Sequence, residues 1–174
     1  MLVGERGIEI LAKANVLVVG LGGVGGYAAE MLARAGVGSM TLVDADTVSQ
    51  TNINRQLIAL HSTVGRDKVE LIAERLRDIN PDIRLEPVKE FLAGERMDEI
   101  VSGGGFDYIV DAIDTLTPKI ELIEAALRHK VPLVSSMGAG SKVDPTRIEV
   151  SDISASHHCP LAHMLRKRLH KVGI

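Results

Sequence analysis

Short aliphatic runs recur along the chain, and each is followed by a stretch with helical spacing. Val16-Leu17-Val18-Val19 is apolar at every position and ends in Gly20, the pattern of a parallel strand buried on both faces. Met40 to Val43, Ile83 to Val88, Tyr108 to Val110 and Pro132 to Ser135 read as further strands, and Ile148 to Val150 as a weaker sixth. Between them the spacing predicts helices over Glu5 to Ala12, Val24 to Ala35, Asp67 to Asp78, Met97 to Val101 and Lys119 to His129. Gly36 and Asn80-Pro81 stop the second and third, and Pro118 sits near the start of the fifth. A last helix runs from Leu161 to Val172. Strands alternating with helices mean βαβ units, so the fold class is α/β: a Rossmann-like three-layer fold with a mostly parallel central sheet.

The chain has 174 residues, enough for one domain with a sizeable core. Only four residues are aromatic, Tyr27, Phe91, Phe106 and Tyr108, so the core is expected to be aliphatic. Apolar residues at 45% and charged residues at 25% exclude a disordered or low-complexity chain. The longest apolar run, Val16 to Ala29, is broken by glycines and too short to span a bilayer, which argues against a membrane partner. Cys159 is the only cysteine, so no intrachain disulfide can form, and a reducing cytoplasm fits. The net charge of −3 is unevenly spread: Arg166, Lys167, Arg168 and Lys171 lie in the last helix, and all 23 acidic residues precede it.

Gly20-Leu21-Gly22-Gly23-Val24-Gly25 fits GxGxxG, after a buried strand and before a helix. Glycines there let the backbone turn and approach a phosphate, and the helix N-terminus offers free N–H groups to the anion. Asp44 stands at the tip of the second strand, where a carboxylate can accept hydrogen bonds from ribose hydroxyls. This context points to a nucleotide rather than to a turn kept for packing. A polar segment follows Asp44, from Asp46 to Gln56, and carries Arg55; Lys68 opens the next helix. A dinucleotide has no need of two such cations, whereas a triphosphate does, because phosphoryl chemistry rests on charge neutralisation and positioning. The competing reading makes Arg55 and Lys68 solvated surface charges. Asp114 closes the fourth strand at the sheet edge where ligands of open parallel sheets sit, and one carboxylate oxygen there could hold magnesium. Asp111 reads as an acid that caps the loop.

Gly20 to Gly25, Asp44 with Asp46, Asn52-Ile53-Asn54-Arg55-Gln56, Gly65 with Lys68, and Asp111 to Asp114 together resemble the ThiF/MoeB/HesA superfamily. Its members are ATP-using adenylating enzymes of the ubiquitin-activating type. The likeness covers Gly4 to about Gly173 and is greatest to the family of tRNA threonylcarbamoyladenosine dehydratases. It is carried by Asp114-Thr115 with Pro118-Lys119, Gly138-Ala139-Gly140, Asp144-Pro145-Thr146, Asp152, Cys159-Pro160-Leu161 and the basic Leu165-Arg166-Lys167-Arg168-Leu169. The resemblance implies that Gly20, Gly22, Gly23 and Gly25 line the ATP phosphates and that Asp44, beside Asp46, holds the ribose. It implies that Asn52, Arg55, Gln56 and Lys68 contact the triphosphate. Arg55, Lys68 and Asp114 are then the catalytic residues, with Asp114 the magnesium ligand. The implied reaction adenylates a carboxylate of a modified adenosine in tRNA and cyclises it, in a homodimer. The chain is expected to be a single adenylation domain over residues 1–174, shortened relative to the family at both ends.

Other readings stay open. One is adenylation of the C-terminus of a sulfur-carrier or ubiquitin-like protein, with a sulfur-relay or carrier partner. Thr115 stands where such enzymes usually have Asn, and a single cysteine cannot supply their paired CxxC motifs. A third reading is a non-catalytic ATP-binding subunit. An NAD dehydrogenase leaves Arg55 and Lys68 without a use. Cys159 lies where thioester-forming relatives place a nucleophile, but cyclisation needs no thiol, so an inert thiol is the preferred reading. His157, His158, Cys159 and His163 could ligate zinc, though a polar loop leading into a helix is the simpler expectation. In the last helix Leu161, Leu165, Leu169 and Val172 form one apolar stripe, from which Arg166, Arg168 and Lys171 point away, either to contact tRNA phosphates or as a solvated face or a helix packed in a homodimer.

Overall fold

A computed structural model describes residues 3–174. Its strands are β1 (Asn15–Val19), β2 (Ser39–Val43), β3 (Arg84–Val88), β4 (Tyr108–Asp111) and β5 (Leu133–Ser135), each within a residue or two of the span read from the sequence. They form one sheet in the order β3-β2-β1-β4-β5, parallel throughout. The helices are α1 (Gly4–Lys13), α2 (Gly25–Arg34), α3 (Lys68–Ile79), α4 (Glu95–Gly103), α5 (Leu116–Arg128) and α6 (Pro160–Lys171).

The three layers follow from strand alternation. Val16, Val18, Met40 and Leu42 face one way and pack with Ala29, Ala33, Val69, Ile72 and Leu76 of α2 and α3. Leu17, Val19, Val43 and Ile109 face the other way, onto Met97 and Val101 of α4 and Leu122 and Ala126 of α5. No aromatic residue appears among the buried hydrophobics of the described residues; Phe106 packs at the margin of the second cluster. Pro87 is tolerated inside β3 because that strand is an edge, paired only with β2.

Three expectations are corrected. No sixth strand forms at Ile148–Val150; both residues stand in solvent, 78% and 93% exposed, with no neighbouring strand to pair with. Helix α5 begins at Leu116 rather than Lys119, because Pro118 lies in its first turn, where a missing N–H costs no intrahelical bond. In α6 the buried face is Ala162, Leu165 and Leu169, with Leu161 half-buried and Val172 exposed. Leu165 and Leu169 pack on Ile123 and Ile120 of α5. Arg166 does not point away into solvent: it is half-buried and donates to the carbonyl and hydroxyl oxygens of Ser156.

Candidate active site

The C-terminal ends of β1, β2, β4 and β5 bring the expected chemistry to one edge of the sheet. The loop from Gly20 to Gly25 leaves β1 and opens α2. Gly20 has φ +88°, and a Cβ there would lie 2.7 Å from the Ala112 carbonyl oxygen. A Cβ on Gly25 would fall 1.7 Å from the Gly20 carbonyl oxygen. These two glycines are therefore dictated by the turn itself. Gly22 and Gly23 are not: their Cβ positions meet only the Gln56 amide nitrogen at 3.6 Å and Arg55 at 3.5 Å. Their bareness keeps main-chain N–H groups open to a ligand at the start of α2.

Asp44 follows β2 and faces this loop. Its Oδ2 accepts from the Leu21 N–H at 2.7 Å and its Oδ1 from the Asp46 N–H at 2.8 Å. Lys68, the first residue of α3, is buried, and its Nζ donates to Asp46 Oδ2 at 2.7 Å and lies 3.9 Å from Asp44 Oδ1. Lys68 is thus not a solvated surface charge; it is held beside the two carboxylates. An antiparallel bridge between Thr47 and Asp67 and a bond from the Lys68 N–H to the Asp46 carbonyl tie the start of α3 to the β2 loop.

The polar segment wraps back over the glycines through a 3₁₀ turn at Gln50–Asn52. The Asn52 side chain accepts from the Ser49 N–H, while its carbonyl accepts from the N–H groups of Arg55 and Gln56. Asn52 therefore shapes the segment that presents the other two. Arg55 is exposed beside Gly23, its guanidinium resting on the Thr51 carbonyl and the Asn54 side chain. Gln56 is 8% exposed and packs its amide nitrogen toward Gly22; its Oε1 has no hydrogen-bond partner. This buried amide oxygen, next to the glycine loop, has lone pairs that can accept from a ligand's donor.

Asp114 stands exposed in the loop after β4, on the same sheet edge. Asp111 caps that loop as expected, its Oδ1 accepting from the Ile113 N–H at 3.0 Å. The sequence reading missed its second role. Asp111 Oδ2 accepts from Lys119 Nζ at 2.7 Å and from the Ser135 hydroxyl at 2.6 Å, and both Asp111 and Lys119 are fully buried. Burial pushes the Lys119 ammonium below its ordinary pKa, against the pull of Asp111. A signal was present: Lys119, Leu122, Ile123 and Ala126 share one buried helix face, so a lysine lies in an apolar stripe.

Cys159 is 9% exposed and caps α6, its sulfur accepting from the Ala162 N–H. Burial opposes its ionisation, but main-chain hydrogen bonds at Ala162, Gly138 and Leu161 outweigh that and lower the thiol pKa. His157, His158 and His163 are exposed, and among the described residues no three His, Cys, Asp or Glu side chains gather around one point. No helix among the described residues is long and apolar enough to cross a membrane.

A family model described as the ThiF family matches residues 1–172. The chain belongs to the ThiF family. It is 48% identical over 172 residues to a tRNA threonylcarbamoyladenosine dehydratase of Bacillus subtilis, covering 99% of this chain and 67% of that protein. The crystal structure of the Escherichia coli tRNA N6-threonylcarbamoyladenosine dehydratase in complex with ATP superposes with a TM-score of 0.91 at 46% identity, over 97% of this chain and 69% of that one. A molybdopterin-synthase adenylyltransferase of Salmonella typhimurium is 42% identical over 130 residues, 75% of this chain and 51% of that protein. The chain spans about two thirds of the length of the curated bacterial dehydratases it matches, 67% for B. subtilis and 62% for E. coli.

Proposed function

We propose that this chain is the adenylation domain of an ATP-dependent tRNA threonylcarbamoyladenosine dehydratase. The observation that carries the reading is the clamp around the glycine loop. Asp44 holds the Leu21 N–H, Lys68 is fixed beside Asp44 and Asp46, and Gln56 brings an unpartnered amide to Gly22. ATP lies with its phosphates along Gly20, Gly22, Gly23 and Gly25 and its ribose at Asp44, with Asp46, Asn52, Arg55 and Gln56 around it. The E. coli relative has been crystallised in complex with ATP, which supports ATP as the nucleotide.

In this reading Lys68 and Arg55 neutralise the triphosphate while the threonyl carboxylate attacks the α-phosphorus. Pyrophosphate leaves and one carboxylate oxygen becomes part of an acyl-AMP. A nucleophile of the same modified nucleoside then displaces AMP and closes the ring, losing the elements of water overall. Proximity accelerates that second step, since both reacting groups belong to one residue. Asp114 offers one carboxylate oxygen, which suits magnesium, a cation usually shared between one or two carboxylates and the substrate phosphates. Bound there, magnesium would supply charge neutralisation at the phosphates.

The protein works in the cytoplasm as a homodimer. Exposed Val24, Tyr27 and Met31 make an apolar stripe along α2 that suits self-association. Exposed Lys167, Arg168 and Lys171 suit a polyanionic substrate. The second reading, adenylation of a carrier-protein C-terminus, is favoured by the likeness to the molybdopterin-synthase adenylyltransferase. One experiment separates them. The protein is incubated with ATP and tRNA from cells lacking the dehydratase, and the nucleosides are analysed. Appearance of the cyclised nucleoside supports the first reading. Unchanged tRNA together with ATP-dependent adenylation of a carrier protein supports the second.

A further inference from the structure

Beneath the glycine loop lies a buried polar knot to which the nucleotide site gives no role. Lys119 Nζ donates to Asp111 Oδ2 at 2.7 Å and to Ser135 Oγ at 3.1 Å, and the Ser135 hydroxyl donates to the same Oδ2. Asp111 ends β4, Lys119 lies in the first half of α5, and Ser135 ends β5. Stability alone does not account for the knot, because a well-packed apolar pair is often as stable as a buried ion pair. Geometry does. The free oxygen of Asp111 fixes the Ile113 N–H, one residue before Asp114. The same loop is the wall against which the glycine loop turns: a Cβ on Gly20 would meet the Ala112 carbonyl and one on Gly25 would meet the Ala112 side chain at 3.0 Å. Asp114, the glycine loop and the end of β5 therefore share one frame, and Lys119 neutralises and orients the carboxylate at its centre.

We propose that Lys119, with Asp111 and Ser135, is a positioning residue that sets the 112–114 loop for adenylyl transfer without touching the nucleotide. This rests on the adenylation reading above. The test uses Asp111→Leu/Lys119→Met, which removes both charges together and so leaves neither buried alone, and Ser135→Ala, which keeps the ion pair. Amide exchange at Ile113 and Asp114, measured without nucleotide, is expected to rise about ten-fold in the double variant while the thermal midpoint stays near the parent's. Turnover with ATP and tRNA carrying the uncyclised threonylcarbamoyladenosine is expected to fall about 100-fold, as for a misplacement near 1 Å, with KM for ATP within about two-fold. Ser135→Ala shifts both readouts the same way by a smaller factor, about three-fold. Parent-like exchange at Ile113, or turnover that falls only in step with the folded fraction, overturns the proposal. Failure of the parent to bind ATP overturns the adenylation reading instead, and the exchange comparison does not depend on it.

Discussion

Asp44 Oδ2 receives the Leu21 N–H at 2.7 Å, so the acid at the tip of β2 braces the glycine loop that leaves β1. The same carboxylate accepts from the Asp46 N–H at 2.8 Å, and in the proposed function its remaining lone pairs take the ribose. Lys68 Nζ, 3.9 Å from its other oxygen, keeps it charged company in a nearly closed site.

Asp44→Ala is expected to weaken ATP binding by about 1.5–3 kcal/mol, the loss of hydrogen bonds to a charged acceptor. Asp44→Asn, which retains one acceptor for the Leu21 N–H, should recover part of that. Calorimetric titration of the three proteins checks it, and equal affinity in all three removes Asp44 from the nucleotide site.

Arg55, Lys68 and Asp114 are expected to separate into two kinds when each is replaced by Ala. Arg55 and Asp114 are exposed, so their variants should keep the parent's thermal midpoint within about 0.5 kcal/mol of stability while losing ATP-dependent pyrophosphate release. Lys68 is itself buried, against the nearly buried Asp44 and the exposed Asp46, so Lys68→Ala should lose stability as well, by about 1–2 kcal/mol, chiefly through the Asp44 carboxylate left without its cation. Thermal unfolding beside the activity assay distinguishes the two.

Glu30 couples the α2 layer to acid. It is 5% exposed and bonded to Arg75 of α3 and Arg34 of its own helix. The hydrogen bond from Arg75 leads in holding its carboxyl below the ordinary value of 4.5; burial opposes this and Arg34 adds to it. A depressed folded pKa means stability present above about pH 4.5 and lost as the pH falls through the lower folded value. Glu30→Gln should therefore be less stable than the parent near neutrality, by about 1 kcal/mol because both arginines are partly solvated, and should lose less on acidification. Urea unfolding at pH 7 and below pH 4 shows whether the gap narrows, as expected, or stays constant.

In α6, Lys167, Arg168 and Lys171 are free for phosphate contacts, whereas Arg166 anchors Ser156. Each contact removed among those three should lower the slope of log affinity for tRNA against log salt by about 0.7 to 0.9. Arg166→Ala should instead loosen the segment before α6 with little change in slope. Filter binding over a salt series reads both, and a parent-like slope in the triple variant assigns the helix face to another role.

The layers and the grouping of most candidate residues at one sheet edge were legible because they rest on local rules. A strand apolar at every position, a glycine loop and an acid nineteen residues on each speak for themselves. Ile148–Val150 misled because alternation predicts a strand only where a neighbour exists to pair with it. Arg166 misled because helical spacing gives a direction but not what another segment brings to meet it. The Asp111–Lys119–Ser135 knot joins residues 8 and 16 or more positions apart across β4, α5 and β5, a distance no motif spans. Only the lysine in an apolar stripe hinted at it.

The central claim, that this site joins a carboxylate to AMP, is tested most directly by an isotope. Precursor tRNA carrying ¹⁸O in both oxygens of the threonyl carboxylate is turned over with unlabelled ATP, and the products are weighed by mass spectrometry. The account predicts AMP bearing one ¹⁸O, pyrophosphate bearing none, and a cyclised nucleoside that retains the other. Unlabelled AMP alongside the cyclised nucleoside, or ¹⁸O in a phosphate or pyrophosphate product, contradicts it.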